Sequence, residues 1–238
     1  MEHGFPTILW DLDGTILSVG SDPGRPFERA LLSVGRTPPV RRPELHGKTD
    51  LAICRDYLRL TDLRNPERLS LARQLLHEVE RVTTLDGHTL LAERHVLPGV
   101  IEVLRSTSAR GVRHGLATGN SRVRAEFKLK MHNLLEWFDM SMSAFGSETT
   151  ERAELLALAA SRRLLPEGPD KESASVPDPV VFGDTPADIV AAKVHGFPVV
   201  GISTGAFSEA ALRAAGASLV VPTLHRGFKQ VLELVLER

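Results

Sequence analysis

Asp11-Leu12-Asp13-Gly14-Thr15 follows directly on Thr7-Ile8-Leu9-Trp10, a short apolar run that reads as a buried strand. Two carboxylates one residue apart therefore leave the end of a strand, just before a glycine that lets the chain turn. Side chains two apart share a face if the strand geometry persists, so Asp11 and Asp13 are expected to point the same way. Two adjacent negative charges are costly unless a cation or a phosphate-handling role compensates them. The rest of the chain has to supply those partners.

Downstream of Leu97 the texture alternates between helix and strand. Pro98-Gly99 opens a helix closed by Gly111, and His114-Gly115-Leu116-Ala117 is a short strand ending at Thr118-Gly119-Asn120. A long amphipathic helix is expected to run to about Leu135, followed by a weaker strand at Phe138–Met142. Ala153 to Leu165 reads as a helix, and the polar Pro166–Pro179 stretch reads as a mobile surface loop. Val180-Val181-Phe182 is a strand ending at Gly183-Asp184, followed by a helix from Pro186 to His195. Two more strands, Pro198–Ile202 and Leu219–Val221, flank a helix at Glu209–Ala215, and Phe228–Leu236 closes the chain as a helix. Short apolar strands alternating with helices indicate an α/β fold with a parallel sheet covered on both faces. Ligands of such sheets bind at the carboxyl ends of the strands.

The segment between the first strand and this region differs. Ser18 to Pro26 is rich in Gly, Pro, Ser and Asp and reads as a hinge. From Phe27 to Glu93 the apolar spacing is helical: Phe27, Ala30, Leu31 and Val34; then Leu51, Ile53, Tyr57 and Leu58; then Leu69, Ala72, Leu75, Leu76, Val79 and Val82. A small helical unit is expected here, interrupted at Pro38-Pro39 and at His46-Gly47-Lys48-Thr49-Asp50.

The 238 residues, 42% hydrophobic and 25% charged, suffice for one large or two modest cores. A net charge of −1 gives no nucleic-acid footprint and no attraction to an anionic membrane. The single cysteine, Cys54, excludes an intrachain disulfide and fits a reducing cytoplasm. Met1-Glu2-His3-Gly4 lacks the basic-then-apolar design of a signal peptide, and no apolar run reaches the roughly 20 residues of a membrane span. A soluble cytoplasmic protein, without membrane or nucleic-acid partners, is expected.

Polar residues stand at three strand ends: Asp11 with Asp13, Thr118 with Asn120, and Asp184 with Asp188. Singly, each has a plain alternative. Thr118 or Asn120 could cap the next helix, and Asp184 could cap a helix with Pro186 at its first turn. In a parallel sheet all three ends face the same edge, which makes a shared site the stronger expectation.

Asp11-x-Asp13-Gly14-Thr15, Thr118-Gly119-Asn120 and Gly183-Asp184-Thr185-Pro186-x-Asp188 resemble the first, second and fourth motifs of the haloacid dehalogenase superfamily. The pattern is most similar to its phosphoglycolate phosphatase-like members, in which a helical cap follows the first motif. The resemblance implies a Rossmann-like three-layer core at residues 1–17 and 96–238 with an all-helical cap at 18–95. It implies a magnesium-dependent phosphatase acting on a small phosphorylated metabolite. Asp11 is a competent nucleophile toward phosphorus, giving an aspartyl-phosphate, and Asp13 can protonate the leaving alkoxide and then deprotonate water. By resemblance, magnesium is held by Asp11, the Asp13 backbone carbonyl and Asp184, with Asp188 close behind; hard oxygen ligands suit that ion. Thr118, with Gly14, Gly119 and Asn120, is expected to hold phosphoryl oxygens.

The third motif of the family is usually a lysine. Here Arg152, just before a helix, takes that place, and it can bind phosphate bidentately; Lys171 is the poorer choice. His46-Gly47-Lys48-Thr49-Asp50 resembles the specificity loop of capped relatives, with Lys48 reaching substrate, or is a capping turn headed by Thr49 or Asp50. Two rivals share the motifs. A phosphomutase of the beta-phosphoglucomutase type keeps the phosphoryl group in its product, and an inert partner-binding protein keeps only the fold. Monomer and homodimer are both compatible with the sequence.

Overall fold

The computed structural model of the chain describes residues 6–61, 63–90, 92–163 and 177–237. In chain order its elements are β1 (Thr7–Trp10), α1 (Arg25–Ser33), α2 (Asp50–Tyr57), α3 (Pro66–Leu90), α4 (Val100–Ser108), β2 (Arg113–Thr118), α5 (Arg122–Met131) and β3 (Ala144–Phe145). They continue with α6 (Arg152–Arg162), β4 (Val180–Gly183), α7 (Pro186–Val194), β5 (Val199–Ile202), α8 (Glu209–Ala215), β6 (Leu219–Val221) and α9 (Phe228–Leu236).

The six strands form one parallel sheet in the order β3-β2-β1-β4-β5-β6. Strand residues alternate between its faces. Ile8, Trp10, Leu116, Phe182 and Val200 point to the side packed by α4, α5 and α9, whereas Leu9, Ala117, Val181 and Val199 point to the side packed by α6, α7 and α8. This is the three-layer α/β arrangement expected from the continuous apolar strands. From β1 the sheet grows outward through β2, and from β4 it grows the other way through β5. The connections after β1 and β4 therefore diverge and leave a crevice at their carboxyl ends.

Helices α1, α2 and α3 are inserted after β1 and pack around their own apolar cluster, in which Phe27 and Tyr57 stack at 5.8 Å. The chain enters and leaves this insertion side by side. The Ser18 N–H donates to the His95 carbonyl (2.9 Å) and the Leu97 N–H to the Ile16 carbonyl (2.9 Å).

Two expected elements differ. The helix after Thr118 ends at Met131 rather than near Leu135, because Asn133 takes a left-handed conformation (φ 55°) and only a short 3-10 turn, Leu135–Trp137, follows. The strand expected at Phe138–Met142 does not form. Asp139 turns the chain there, its carboxylate accepting from the Ser141 N–H and hydroxyl (2.9 and 2.5 Å), and pairing begins only at Ala144. Most of the Pro166–Pro179 loop, with Lys171, and Met1 to Gly4 lie outside the described residues. No helix among the described residues is long and apolar enough to cross a membrane.

Candidate active site

The crevice between β1 and β4 is where the acidic residues meet. The Asp11 N–H still pairs with the Phe182 carbonyl across the sheet (2.8 Å), so Asp11 leaves β1 at the height where β4 ends and Asp184 begins. Carboxylate oxygens of Asp11, Asp184 and Asp188 all lie within 4.8 Å of one another, and all three residues are buried. Gly14, at φ 86°, is required at the turn for two reasons. A side chain there would be strained, and a β-carbon would overlap the Asp184 carboxylate.

Counter-charge comes from helix N-termini and from the insertion's return strap. Arg152, the first residue of α6, reaches Asp11 (3.0 Å) and is bonded to Asp188. Asp188 is itself locked in a capping box: Thr185 caps α7, and the Asp188 carboxylate accepts from the Thr185 N–H (3.1 Å) and hydroxyl (2.7 Å). Burial pushes the Asp11 carboxyl up to about 6, with Arg152 pulling it down and Asp188 pushing it further up. Asp184 is also pushed well above the usual carboxylate range, by burial first and then by Asp11 and Asp188. Its Oδ1 is buried with no hydrogen-bond partner. An orphaned buried carboxylate oxygen beside two further carboxylates fits a hard divalent cation.

Asp13 sits in a different environment. Arg94, on the strap leaving α3, bonds its Oδ1, while Lys128 (2.5 Å) and the Asn120 amide (2.9 Å) donate to its Oδ2. Burial alone would raise Asp13, but Arg94 and Lys128 outweigh it and hold the carboxyl below the usual range. Two carboxylates two residues apart thus titrate in opposite directions, Asp11 through its burial and Asp13 through its two cations.

Of the residues singled out from sequence, Asp11, Asp13, Asp184, Arg152, Gly119, Asn120 and Lys48 line one cavity of about 90 Å³ between the sheet edge and the insertion. At about 30 Å³ per water, that is room for about three waters. Thr118 lies behind the wall, fully buried, its hydroxyl accepting from the Asn120 backbone and side-chain N–H groups (3.3 and 3.1 Å). Gly14 does not offer its N–H to the cavity; that group donates to the Leu17 carbonyl (2.7 Å). Asn120 turns its amide to Asp13, and Lys48 pairs with Asp56 (2.7 Å). The helix caps are Ser121 for α5 and Thr185 for α7, not Thr118, Asn120 or Asp184. In the His46–Asp50 loop Thr49 caps α2, as the capping-turn alternative expected, and His46, Gly47, Lys48 and Asp50 line the cavity.

Sequence reading missed three charged residues here. Lys128 and Arg124, one helical turn apart on α5, are buried at a mid-helix position where cations ordinarily face solvent. Arg124 is bonded to Asp50, which also accepts from the Ser121 N–H (2.7 Å), so a residue of the insertion completes the loop after β2. Arg94 belongs to a stretch without periodicity. The one available signal was the spacing of Arg124 and Lys128 beside Ala125 and Leu129, which places both cations on the edge of the apolar stripe.

A sequence profile of the haloacid dehalogenase-like hydrolases matches residues 8–193. The chain is 26% identical over 219 residues to the "Probable phosphatase IndB" of Dickeya dadantii (strain 3937), covering 92% of this chain and 90% of that one. The crystal structure of a hydrolase from Pseudomonas syringae has the same fold, with a TM-score of 0.67 at 20% identity over 97% of this chain and 99% of that one. CbbY from Rhodobacter sphaeroides, in complex with phosphate, gives a TM-score of 0.65 at 18% identity, with 94% and 96% covered.

Proposed function

This chain belongs to the haloacid dehalogenase-like hydrolases, and on that premise we propose that it is a magnesium-dependent phosphatase hydrolysing a small phosphomonoester through an aspartyl-phosphate. Residues 18–95 form the cap in this reading, over a core of residues 1–17 and 96–238. One observation carries it. Asp11 and Asp13 enter the same cavity from the end of the central strand, one beside Arg152 and an orphaned Asp184, the other held by Arg94 and Lys128.

Asp11, Asp184 and Asp188, with the Asp13 carbonyl, are the groups that would hold the ion. Bound there, magnesium would offset the carboxylate charge and draw electron density from the phosphoryl oxygens. Asp11 attacks phosphorus, forming the acyl phosphate as the bond to the alcohol oxygen breaks. Asp13 passes to that oxygen a proton supplied by Lys128, whose amine donates to its Oδ2 and is lowered by burial to about 7, then takes one from the water that attacks phosphorus and frees phosphate and Asp11. Arg152, fixed by Asp188, holds Asp11 in line and offers positive charge to the phosphoryl oxygens. Thr118 acts through Asn120, orienting the amide that holds Asp13.

Replacing Asp11 with Asn tests the reading. Hydrolysis of an aryl phosphate should fall by at least about 10³ in kcat, the scale on which loss of a nucleophile is felt. Turnover equal to the parent's would remove Asp11 from the nucleophile role. A phosphomutase is separated by product: isomer accumulating from a sugar phosphate without free phosphate would replace this reading.

A further inference from the structure

We propose that Thr204, in the loop between β5 and α8, is a positioning residue for the metal site, its hydroxyl clamping the slot in which Asp184 stands. This rests on the assignment of Asp184 as a magnesium ligand above. Asp184 is held by shape. A β-carbon added at Gly14 would overlap its Oδ2, and so would a β-carbon added at Gly205. The carboxylate therefore stands between two glycines, one in the turn after β1 and one in the loop after β5. Neither takes up Oδ1, which is buried and unpartnered.

The two walls of this slot are 190 residues apart in sequence and directly bonded, the Thr204 hydroxyl donating to the Gly14 carbonyl (2.5 Å). Since β4 lies between β1 and β5 in the sheet, this bond bridges the end of β4, where Asp184 begins. Gly14 needs such a tether. Only glycine fits its φ of 86° against Asp184, yet glycine has the widest backbone freedom of any residue. The Leu17 carbonyl fixes its N–H (2.7 Å) and Thr204 fixes its carbonyl, so both peptide planes flanking Gly14 are set. The first of those planes carries the Asp13 carbonyl assigned to the ion.

The other end of the clamp is firm. The Ser203 N–H donates to the Val221 carbonyl (3.0 Å), and the Ser208 hydroxyl caps α8 by accepting from the Ala211 N–H (3.3 Å). The branched β-carbon of Thr204 restricts its own rotation, which stiffens the link. Repulsion gives the clamp its role. Carboxylate oxygens of Asp11, Asp184 and Asp188 lie within 4.8 Å of one another, and without a tether the turn and the loop could part to relieve that crowding. Groups that orient metal ligands from outside the coordination sphere are typically worth about 10- to 100-fold in metal affinity.

Isothermal titration calorimetry of magnesium into the full chain, stripped with EDTA and freed of chelator, tests the proposal. Thr204→Val keeps the branched shape and removes the donor; its Kd should rise about tenfold or more, while Thr204→Ser stays near the parent. The magnesium needed for half-maximal turnover of an aryl phosphate should rise by the same factor. Gly205 is outside the left-handed region, so Gly205→Ala adds a methyl group without backbone strain and should weaken magnesium by about tenfold or more as well. Should valine prevent folding, Thr204→Ala repeats the measurement. A folded Val or Ala variant at position 204 with parental Kd overturns the proposal, as does a Ser variant as impaired as Val. Parental binding by Gly205→Ala overturns the slot. A parent chain that does not bind magnesium refutes the metal assignment and the inference with it, so the parent's own titration tells the two failures apart.

Discussion

Acid should unfold this protein through His114, a residue of β2 remote from the aspartates. Its tautomer follows from its partners. The Trp10 indole N–H, which can only donate, points at His114 Nδ1 (3.1 Å), so that nitrogen carries a lone pair. The proton is on Nε2, facing the hydroxyls of Thr107 (3.3 Å) and Ser108 (3.1 Å). No carboxylate offsets a charge there, and burial lowers the pKa from 6.5 to about 4. Above the unfolded value both states are neutral and the site contributes its full stability. Between about 6.5 and 4 the unfolded chain takes up a proton that the folded chain refuses, so stability falls as the pH falls. The slope approaches about 1.4 kcal/mol per pH unit and the total is about 3 kcal/mol. Urea unfolding of the parent and of His114→Asn, measured from pH 7 to pH 4, isolates this contribution. Asparagine keeps an acceptor for the indole but does not titrate. The variant should be less stable at pH 7 through lost packing, yet the gap should narrow by about 3 kcal/mol on acidification. Parallel curves for the two proteins would refute the reasoning, as would an imidazole resonance titrating near 6.5.

The buried pairs of the site give three further expectations. Arg152→Met should lower kcat by roughly 10²–10³, with Arg152→Lys recovering much of it; steady-state kinetics that leave the Met variant at parental kcat would make Arg152 purely structural. Asp50→Asn leaves Arg124 buried without its counter-ion and should cost about 3–5 kcal/mol in urea unfolding. Magnesium at 100 times its Kd should add about 2.7 kcal/mol to the unfolding free energy over a sample in EDTA. Asp184→Asn should abolish most of that gain, and a parent whose thermal midpoint ignores magnesium would contradict the assigned site.

The fold was legible because its signals are local. Three-residue apolar runs such as Ile8–Trp10 and Val180–Phe182 can be buried on both sides only within a covered parallel sheet, and the residues that follow each run mark the functional edge. The weakest strand reading, Phe138–Met142, failed because the side chain of Asp139 outcompeted strand pairing for nearby N–H groups. The acidic half of the site was legible for the same reason as the strands, since Asp11, Asp13 and Asp184 stand where periodicity stops. The basic half was not. Lys128, Arg124 and Arg94 are set by contacts 115, 74 and 81 residues away in sequence, to Asp13 or Asp50, and nothing local distinguishes them from solvated charges.

That asymmetry has a physical origin. Carboxylates that work on phosphorus must sit at fixed strand ends, where backbone geometry aims them. The cations that balance them need only arrive from some direction with a long side chain. Asp50 extends the logic to the insertion. Its carboxylate takes the Ser121 N–H, its own N–H donates to the Gly119 carbonyl (2.6 Å), and the Leu51 N–H donates to the Gly146 carbonyl (3.0 Å). The first turn of α2 thereby becomes part of the loops after β2 and β3. The same helix carries Ile53 on the cavity wall. One element thus closes the loop beside Asp13 and lines the cavity, so a substitution on that face of α2 should change activity and closure together.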